Sequence, residues 1–310
     1  MQNNVQNNVM NLEEITLTCH FIEKWKRVLE KSYGYKEYMD FLIVPSLLGG
    51  ETLCYLPLLN YCDKRSNEIE HLKELGKDTN FQIRALNFQY DQFKPNDTVT
   101  MRLYMNGKTS EEFLMQNMKS EARRVLRNTI KKYDYSFTYG NAGKDIDDFY
   151  INFSDSMYEH GTPVLSKMLL YNLVDEFQND ILFFNAYDKD RVVSSMCIFI
   201  DNDIALSLWA ATTREYKKNR AGHFLNWQAV KYLCDEKNIK IFDFGRSPYG
   251  SGGFQYKSRF GAIPVKIDII SSQTIEIYSK YSLASKIWKC LPKYVVNYLG
   301  PKVCKYLVDL

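Results

Sequence analysis

The chain has 310 residues, 45% of them hydrophobic and 25% charged, with a formal charge of +3. That is apolar material for one large or two ordinary globular domains, so disorder of the whole chain is excluded. So small a charge implies no general affinity for nucleic acid, although local basic patches stay open. The seven cysteines form no CxxC pair and have no histidine at metal-ligand spacing; they read as reduced cytoplasmic thiols, mostly in the core, and no metal is expected. The N-terminus lacks a basic region followed by an apolar run, and no later run nears the ~20 residues of a membrane span, so a cytoplasmic location is expected.

Residues 1–14, MQNNVQNNVMNLEE, form a polar end expected to fray. YMDFLIVPS and ETLCYLPLL then read as strands, 65–76 as a helix, FQIRALNFQY and DTVTMRLYM as strands, and 111–132 as a helix. Past a junction near 141–144, apolar spacing predicts helices over 145–160 and 165–178, the second marked by Leu165, Leu169, Leu173 and Phe177. ILFFNAY, RVVSSMCIFI and DIALSLWAA, divided by DKD and DND, predict an antiparallel meander. Leu225, Ala229 and Leu233 mark a helix over about 222–237, followed by the strand IKIFDFG, a glycine-rich stretch with a short helix, and the strand IPVKIDII. The end of the chain mixes Trp288, Tyr294, Tyr298 and Tyr306 with Lys286, Lys289, Lys293, Lys302 and Lys305, and Pro292 and Pro301 are expected to break it into short helices. That mixture suits either a helix pair packed on the domain with snorkelling lysines or a surface lying on an anionic membrane.

In IKIFDFG, Ile239, Ile241 and Asp243 share one face of the strand and Phe242 and Phe244 the other. A carboxylate ending an apolar row either caps the turn that follows or stands as a polar group at the mouth of a cleft. The loop GRSPYGSGG is neither a Walker loop nor a GxGxxG turn opening a long helix, which ranks a nucleotide-binding kinase last. Arg246 before it and Lys257 and Arg259 after it bracket a turn rich in N–H donors. Such cations either hold a phosphate or an oxyanion formed in acyl transfer, or are plain solvated surface.

The stretch DFGRSPYGSGGFQYKSRFGAIPV resembles the C-terminal signature of the FemAB-related, GNAT-type acyltransferases, whose relatives include the Fem aminoacyltransferases that build peptidoglycan cross-bridges. It carries their aromatic-Lys-x-x-aromatic-Gly motif as Tyr256, Lys257, Phe260 and Gly261. EHGTPVLSKMLL and RRVLRNTIKKYDYSF resemble two further segments of the family, and YLPLLNYCD resembles its Leu-Pro strand end, with Cys62 and Asp63 where glycines are usual after Tyr61. The likeness is strongest over about 111–270. It implies an α+β fold of two tandem GNAT-like domains, with mixed, mostly antiparallel sheets flanked by helices: an N-terminal domain over 15–140, a catalytic domain over 141–275, and basic aromatic helices over 276–310.

The resemblance also implies chemistry. An acetyl or aminoacyl group would pass from acyl-CoA or aminoacyl-tRNA to an amino group of a glycan or peptidoglycan precursor of the cell envelope, polyprenol-linked in one form. The chain would then touch the inner face of the membrane peripherally, through 281–310. Lys257 would be the cation near the donor phosphate or forming oxyanion, assisted by Arg246. Asp243, Glu159 and His160 are the candidate proton acceptors or amine-orienting groups. Ser247, Tyr256, Thr162, Arg220, Gly222 and Trp209 would contact donor or substrate. REYKKNRAGHFLNW stands where acyl-CoA enzymes of this fold hold a pyrophosphate, but offers only Ala221-Gly222 in place of RxxGxG/A. No counterpart of the paired-helix arm of some Fem relatives is found, so both donor classes stay open. The alternative reading is a GNAT-fold protein that only binds, as a scaffold in surface polysaccharide assembly.

Overall fold

The computed structural model describes residues 17–46, 49–62, 70, 73–74, 80–272 and 285–307. The polar stretch 1–14 and most of the helix expected over 65–76 lie outside them. The first element, α1 (Cys19–Tyr33), is not among those expected, although Phe21, Trp25, Val28 and Leu29 recur at helical spacing and are all buried. Thr18 caps it, accepting from the Phe21 N–H, and Gly34 ends it.

Strands β1 (Lys36–Tyr38), β2 (Phe41–Pro45), β3 (Glu51–Cys54), β4 (Phe81–Asn87) and β5 (Thr98–Tyr104) follow. The single helix expected over 111–132 is two, α2 (Ser110–Gln116) and α3 (Ser120–Lys132). Thr109 and Glu112 form a capping box at the start of α2. The break before α3 is fixed by a tertiary bond, Lys119 N–H to the Arg259 carbonyl at 3.0 Å, which an uninterrupted helix could not make. A short strand, β6 (Tyr135–Gly140), is likewise unexpected and forms one edge of the sheet.

From there the order agrees with expectation: helices α4 (Gly143–His160) and α5 (Lys167–Phe177), the meander β7 (Ile181–Asp188), β8 (Arg191–Asp201) and β9 (Ile204–Thr212), one turn of helix α6 (Arg214–Lys217), then α7 (Ala221–Lys231), β10 (Ile241–Pro248), α8 (Gly252–Arg259) and β11 (Ile263–Ser271). α7 widens into a π turn, Tyr232–Glu236, where a continuous α-helix was expected. Residues 285–290 are helical, and α9 (Lys293–Cys304) runs through Pro301 rather than breaking there. Burial of Val296, Gly300 and Cys304, with the Cys304 thiol 3.0 Å from the Val164 carbonyl, holds the helix past the proline.

Among the described residues eleven strands join one sheet in the order β1-β2-β3-β4-β11-β5-β10-β9-β8-β7-β6. Apolar residues face both ways from it. On one side Trp25, Phe177, Phe199 and Trp209 cluster; on the other Phe113, Leu126, Phe224, Phe242 and Phe260 do. The middle of the sheet is an exchange: β11, last in the chain, lies between β4 and β5, while β5 lies between β11 and β10. The sheet therefore runs without interruption across the junction expected near 141–144.

Two junctions in the sheet are parallel, β3 with β4 and β9 with β10, and they differ in one respect. Beyond β3 the segment 55–62 fills the space beside β4 and rejoins it, Cys62 N–H bonding the Arg84 carbonyl at 2.7 Å. Every residue of that segment is buried, and Leu56 and Leu58 sit at φ 52° and 67° to achieve it. β9 and β10 pair only through Ile204–Ile241, Ala205–Phe242 and Leu206–Asp243, then part, β9 staying with β8 and β10 with β5. The result is a wedge between two strands of the same sheet.

Candidate functional site at the parting of β9 and β10

Asp243 is the last paired residue of β10 before the wedge. Its side chain is 1% exposed and accepts four hydrogen bonds: the Tyr61 hydroxyl at 2.6 Å, the Thr100 hydroxyl at 2.6 Å, Arg102 Nε at 3.2 Å and the Gly245 N–H at 2.7 Å. Arg102 also donates to the Tyr61 oxygen at 3.0 Å and lies over the rings of Tyr61 and Phe88. Both alternatives left open for this carboxylate are partly met, since it caps its own turn through Gly245 and is a paired buried charge. With its oxygens occupied by fixed donors, it is placed to hold the strand, a positioning part where a catalytic one was expected of Asp243. Thr100 and Arg102 were not anticipated; the signal was an arginine alternating with threonines in an otherwise apolar strand, TVTMRLY.

Just past Asp243, β10 bulges against β5 between Asp243 and Arg246. Gly245 takes φ +76°, and a Cβ there would stand 2.8 Å from the Ser207 carbonyl oxygen, so only glycine lets the strands come this close before they part. β9 carries its own bulge at the same level, where its register with β8 shifts between Cys197 and Ile198.

Lys257, on α8, reaches back to this bulge. Its ammonium donates to the Gly245 carbonyl at 2.9 Å and the Arg246 carbonyl at 2.8 Å, leaving one N–H for a ligand. Its stem is half-buried and its charged end is withdrawn from water. That burial lowers its pKa to about 8; the Asp243 charge opposes the shift and Arg246 adds to it. The Ser247 hydroxyl donates to the Arg246 carbonyl at 2.8 Å. Tyr256 ties α8 to α7, donating to the Gly222 carbonyl at 3.2 Å and accepting from Asn226, and burial raises its pKa. Gly222 brings α7 close to β9: a Cβ there would stand 2.8 Å from the Thr212 hydroxyl, which would have to turn away.

His223, in the first turn of α7, was not anticipated. Its ring stands edge-on to Tyr256 at 4.6 Å, and burial, then Arg220 and Arg259, push its pKa down to about 4, so it is neutral near pH 7. Arg220 caps α7 with a left-handed backbone, φ 64°. Arg220, His223 and Arg259 thus gather at a helix N-terminus, whose first N–H groups favour an anion.

The structure brings Asp243, Arg246, Ser247 and Lys257 together at the bulge, with Tyr256, Gly222 and Arg220 at the adjoining helix end. It does not bring Glu159, His160 or Thr162 there. These close α4: the His160 ring nitrogen bonds the Ser156 carbonyl at 2.6 Å, the Thr162 N–H bonds the Met157 carbonyl, and Glu159 lies 3.9 Å from Lys217. Among the described residues neither Glu159 nor His160 bonds Lys257, Arg246 or Asp243, so their assignment as proton acceptors loses its geometric support. Glu159 does line an open depression with Thr213, Arg214, Glu215 and Lys218 at the end of β9. Trp209, on β9 past its last pair with β10, is half-buried and packs one side of its ring system against Trp25, Phe153 and Phe199.

An α+β sheet of this kind, flanked by helices and parted between two parallel strands, is the architecture of GNAT acyltransferases. In agreement, the family model described as an acetyltransferase (GNAT) domain matches residues 116–258. No curated protein matches the sequence. Among solved structures, FemX is similar at 12% identity and TM-score 0.56, over 87% of this chain and 94% of that one. The C-terminal domain of a putative lysylphosphatidylglycerol synthetase from Agrobacterium fabrum is similar at 10% identity and TM-score 0.52, over 86% and 95%. L-PGS from Bacillus licheniformis is similar at 10% identity and TM-score 0.51, over 87% and 97%. At these identities the likeness concerns the fold.

Asp243→Ala leaves the Arg102 guanidinium buried without its carboxylate. It is expected to reduce the free energy of unfolding in urea by about 3–5 kcal/mol. A loss below about 1 kcal/mol would contradict the reading of this carboxylate as the anchor of the sheet centre.

Proposed function

We propose that the chain is a GNAT-type N-acyltransferase acting in the β9–β10 wedge. The donor is acyl-CoA or aminoacyl-tRNA, and the acceptor is an amino group on a glycan or peptidoglycan precursor of the cell envelope. The observation that carries this reading is Lys257, a half-buried cation fastened to the bulge of β10 with one N–H unused. Fold likeness to FemX and to a lysylphosphatidylglycerol synthetase domain supports an aminoacyl group and an envelope acceptor.

The neutral amine of the acceptor attacks the acyl carbonyl carbon. A C–N bond forms as the C–S bond of a thioester or the C–O bond of an ester breaks, and the proton of the amine passes to the leaving group through water. Negative charge gathers on the carbonyl oxygen, and the remaining N–H of Lys257 is the donor proposed to meet it. Arg220, His223 and Arg259 at the start of α7 are proposed to hold the phosphates of the donor. The two halves, 15–140 and 141–275, act as tandem GNAT-like domains, the first with its wedge filled by 55–62 and so without a donor site of its own.

Protonated Lys257 is the working form, so transfer has a limb set by that lysine. With an amine-bearing precursor as acceptor, kcat/KM is expected to fall as pH rises through about 8. Lys257→Arg, which keeps its charge, is expected to move that limb upward, and Lys257→Ala to cut transfer by roughly 100-fold or more. Undiminished transfer by Lys257→Ala would sink the assignment. Absence of turnover with every donor class would leave the scaffold reading in its place.

Contact with the membrane is a separate part of the proposal. Ile287, Tyr294 and Tyr298 are 58%, 77% and 65% exposed, beside Lys286, Lys289 and Lys302. Among the described residues no helix is long and apolar enough to cross a membrane. The protein is expected to sediment with phosphatidylglycerol vesicles at low salt and to be released at high salt, and not to sediment with phosphatidylcholine. Equal partition between the two lipids would refute the contact.

A further inference from the structure

The apex of the wedge holds a polar group that the transfer described above does not use. Asn60, in the buried segment 55–62, is 8% exposed; its side-chain amide makes no hydrogen bond to the described residues and keeps a narrow contact with water. Its Nδ2 lies 3.2 Å from the point a Cβ on residue 245 would occupy, and the Ser207 carbonyl oxygen lies 2.8 Å from the same point. Ser207 and Gly245 follow directly on the end of the β9–β10 ladder, whose last pair is Leu206–Asp243. The amide therefore stands where the strands begin to part, beside the glycine whose missing side chain leaves room.

Its neighbours do not satisfy it. The Asp243 carboxylate is taken by Tyr61, Thr100, Arg102 and Gly245. A ligand that cut this amide off from water without offering a partner would cost about 1–3 kcal/mol. The left-handed residues Leu56 and Leu58, which bring the segment into this position, add strain of their own.

Resting on the acyl-transfer reading, we propose that Asn60 selects the acyl group. Its amide hydrogen-bonds a polar substituent close to the transferred carbonyl. The substrate class is thus an acyl group bearing an amino or hydroxyl group, in preference to acetyl or a plain hydrocarbon acyl. The amide offers two N–H donors and one acceptor oxygen, so it serves either substituent. A hydrocarbon acyl group would exclude water from the amide and offer nothing in return, which is how a site built around a hydrogen bond rejects an analogue that lacks it. The transfer stays as written: C–N forms as C–S or C–O breaks, and the substituent takes no part in bond making.

The test uses donor pairs matched on their carrier, 2-hydroxypropionyl-CoA against propionyl-CoA and alanyl-tRNA against propionyl-tRNA, with wild type and Asn60→Leu. Wild type is expected to favour the polar member by roughly 10- to 100-fold in kcat/KM, and Asn60→Leu to hold that preference within about threefold by losing rate on the polar member. Asn60→Ser, which keeps a hydroxyl, is expected to retain part of the preference. Equal use of both members by wild type would overturn the role of Asn60 while leaving acyl transfer intact. Binding and turnover of no donor would overturn the acyl-transfer reading and this selection with it. Thermal unfolding checks that the variants are folded, and if Asn60→Leu is not, the wild-type donor pairs decide.

Discussion

The Asp243 carboxylate accepts four hydrogen bonds where water does not reach, and three of the donors come from chain at least 141 residues away in sequence. Taking a carboxylate and a guanidinium out of water is costly, and here the cost is offset by a full set of donors rather than by the ion pair alone. One strand end is held in place by this arrangement. Because β10 is pinned at Asp243, its bulge at Gly245 and the parting from β9 fall at a fixed point. Lys257 then has two carbonyls to bind.

The exchange of strands at the middle of the sheet makes that pinning possible. β5 carries Thr100 and Arg102 from the first half to lie beside β10, and β11 returns from the second half to lie beside β4 and β5. Neither half completes its sheet without the other. The first half thus serves as the wall and anchor of a wedge in the second, and segment 55–62 supplies both Tyr61 to the anchor and Asn60 to the apex. Its own parallel junction is filled by that same segment, which explains how one chain with two similar strand arrangements presents one open wedge among its described residues.

Much of the second half was legible in the sequence. The helices α4 and α5, the meander, and β10 with its alternating Ile241, Phe242, Asp243 and Phe244 follow from apolar spacing and turn residues. What escaped depends on contacts distant in sequence. α1 is a stripe of four apolar residues among lysines and glutamates. The break between α2 and α3 is set by the Arg259 carbonyl, and the run of α9 through Pro301 by packing on Val164. In the site, Lys257 and Arg246 stood out as cations around glycines. Arg102, Thr100 and Asn60 did not, because each matters only through a neighbour that the strand exchange brings to it. Glu159 and His160 looked chemical by type, yet they lie at the end of α4 and bond there.

The central claim is that the parting of β9 and β10 is where an acyl donor sits. Hydrogen–deuterium exchange of the full chain, with and without saturating propionyl-CoA or alanyl-tRNA, tests it most directly. The account predicts slowed exchange at the amides of 207–212 and 245–247 with at least one donor, together with the first turn of α7. Protection confined to other parts of the chain, with these amides unchanged, would contradict it.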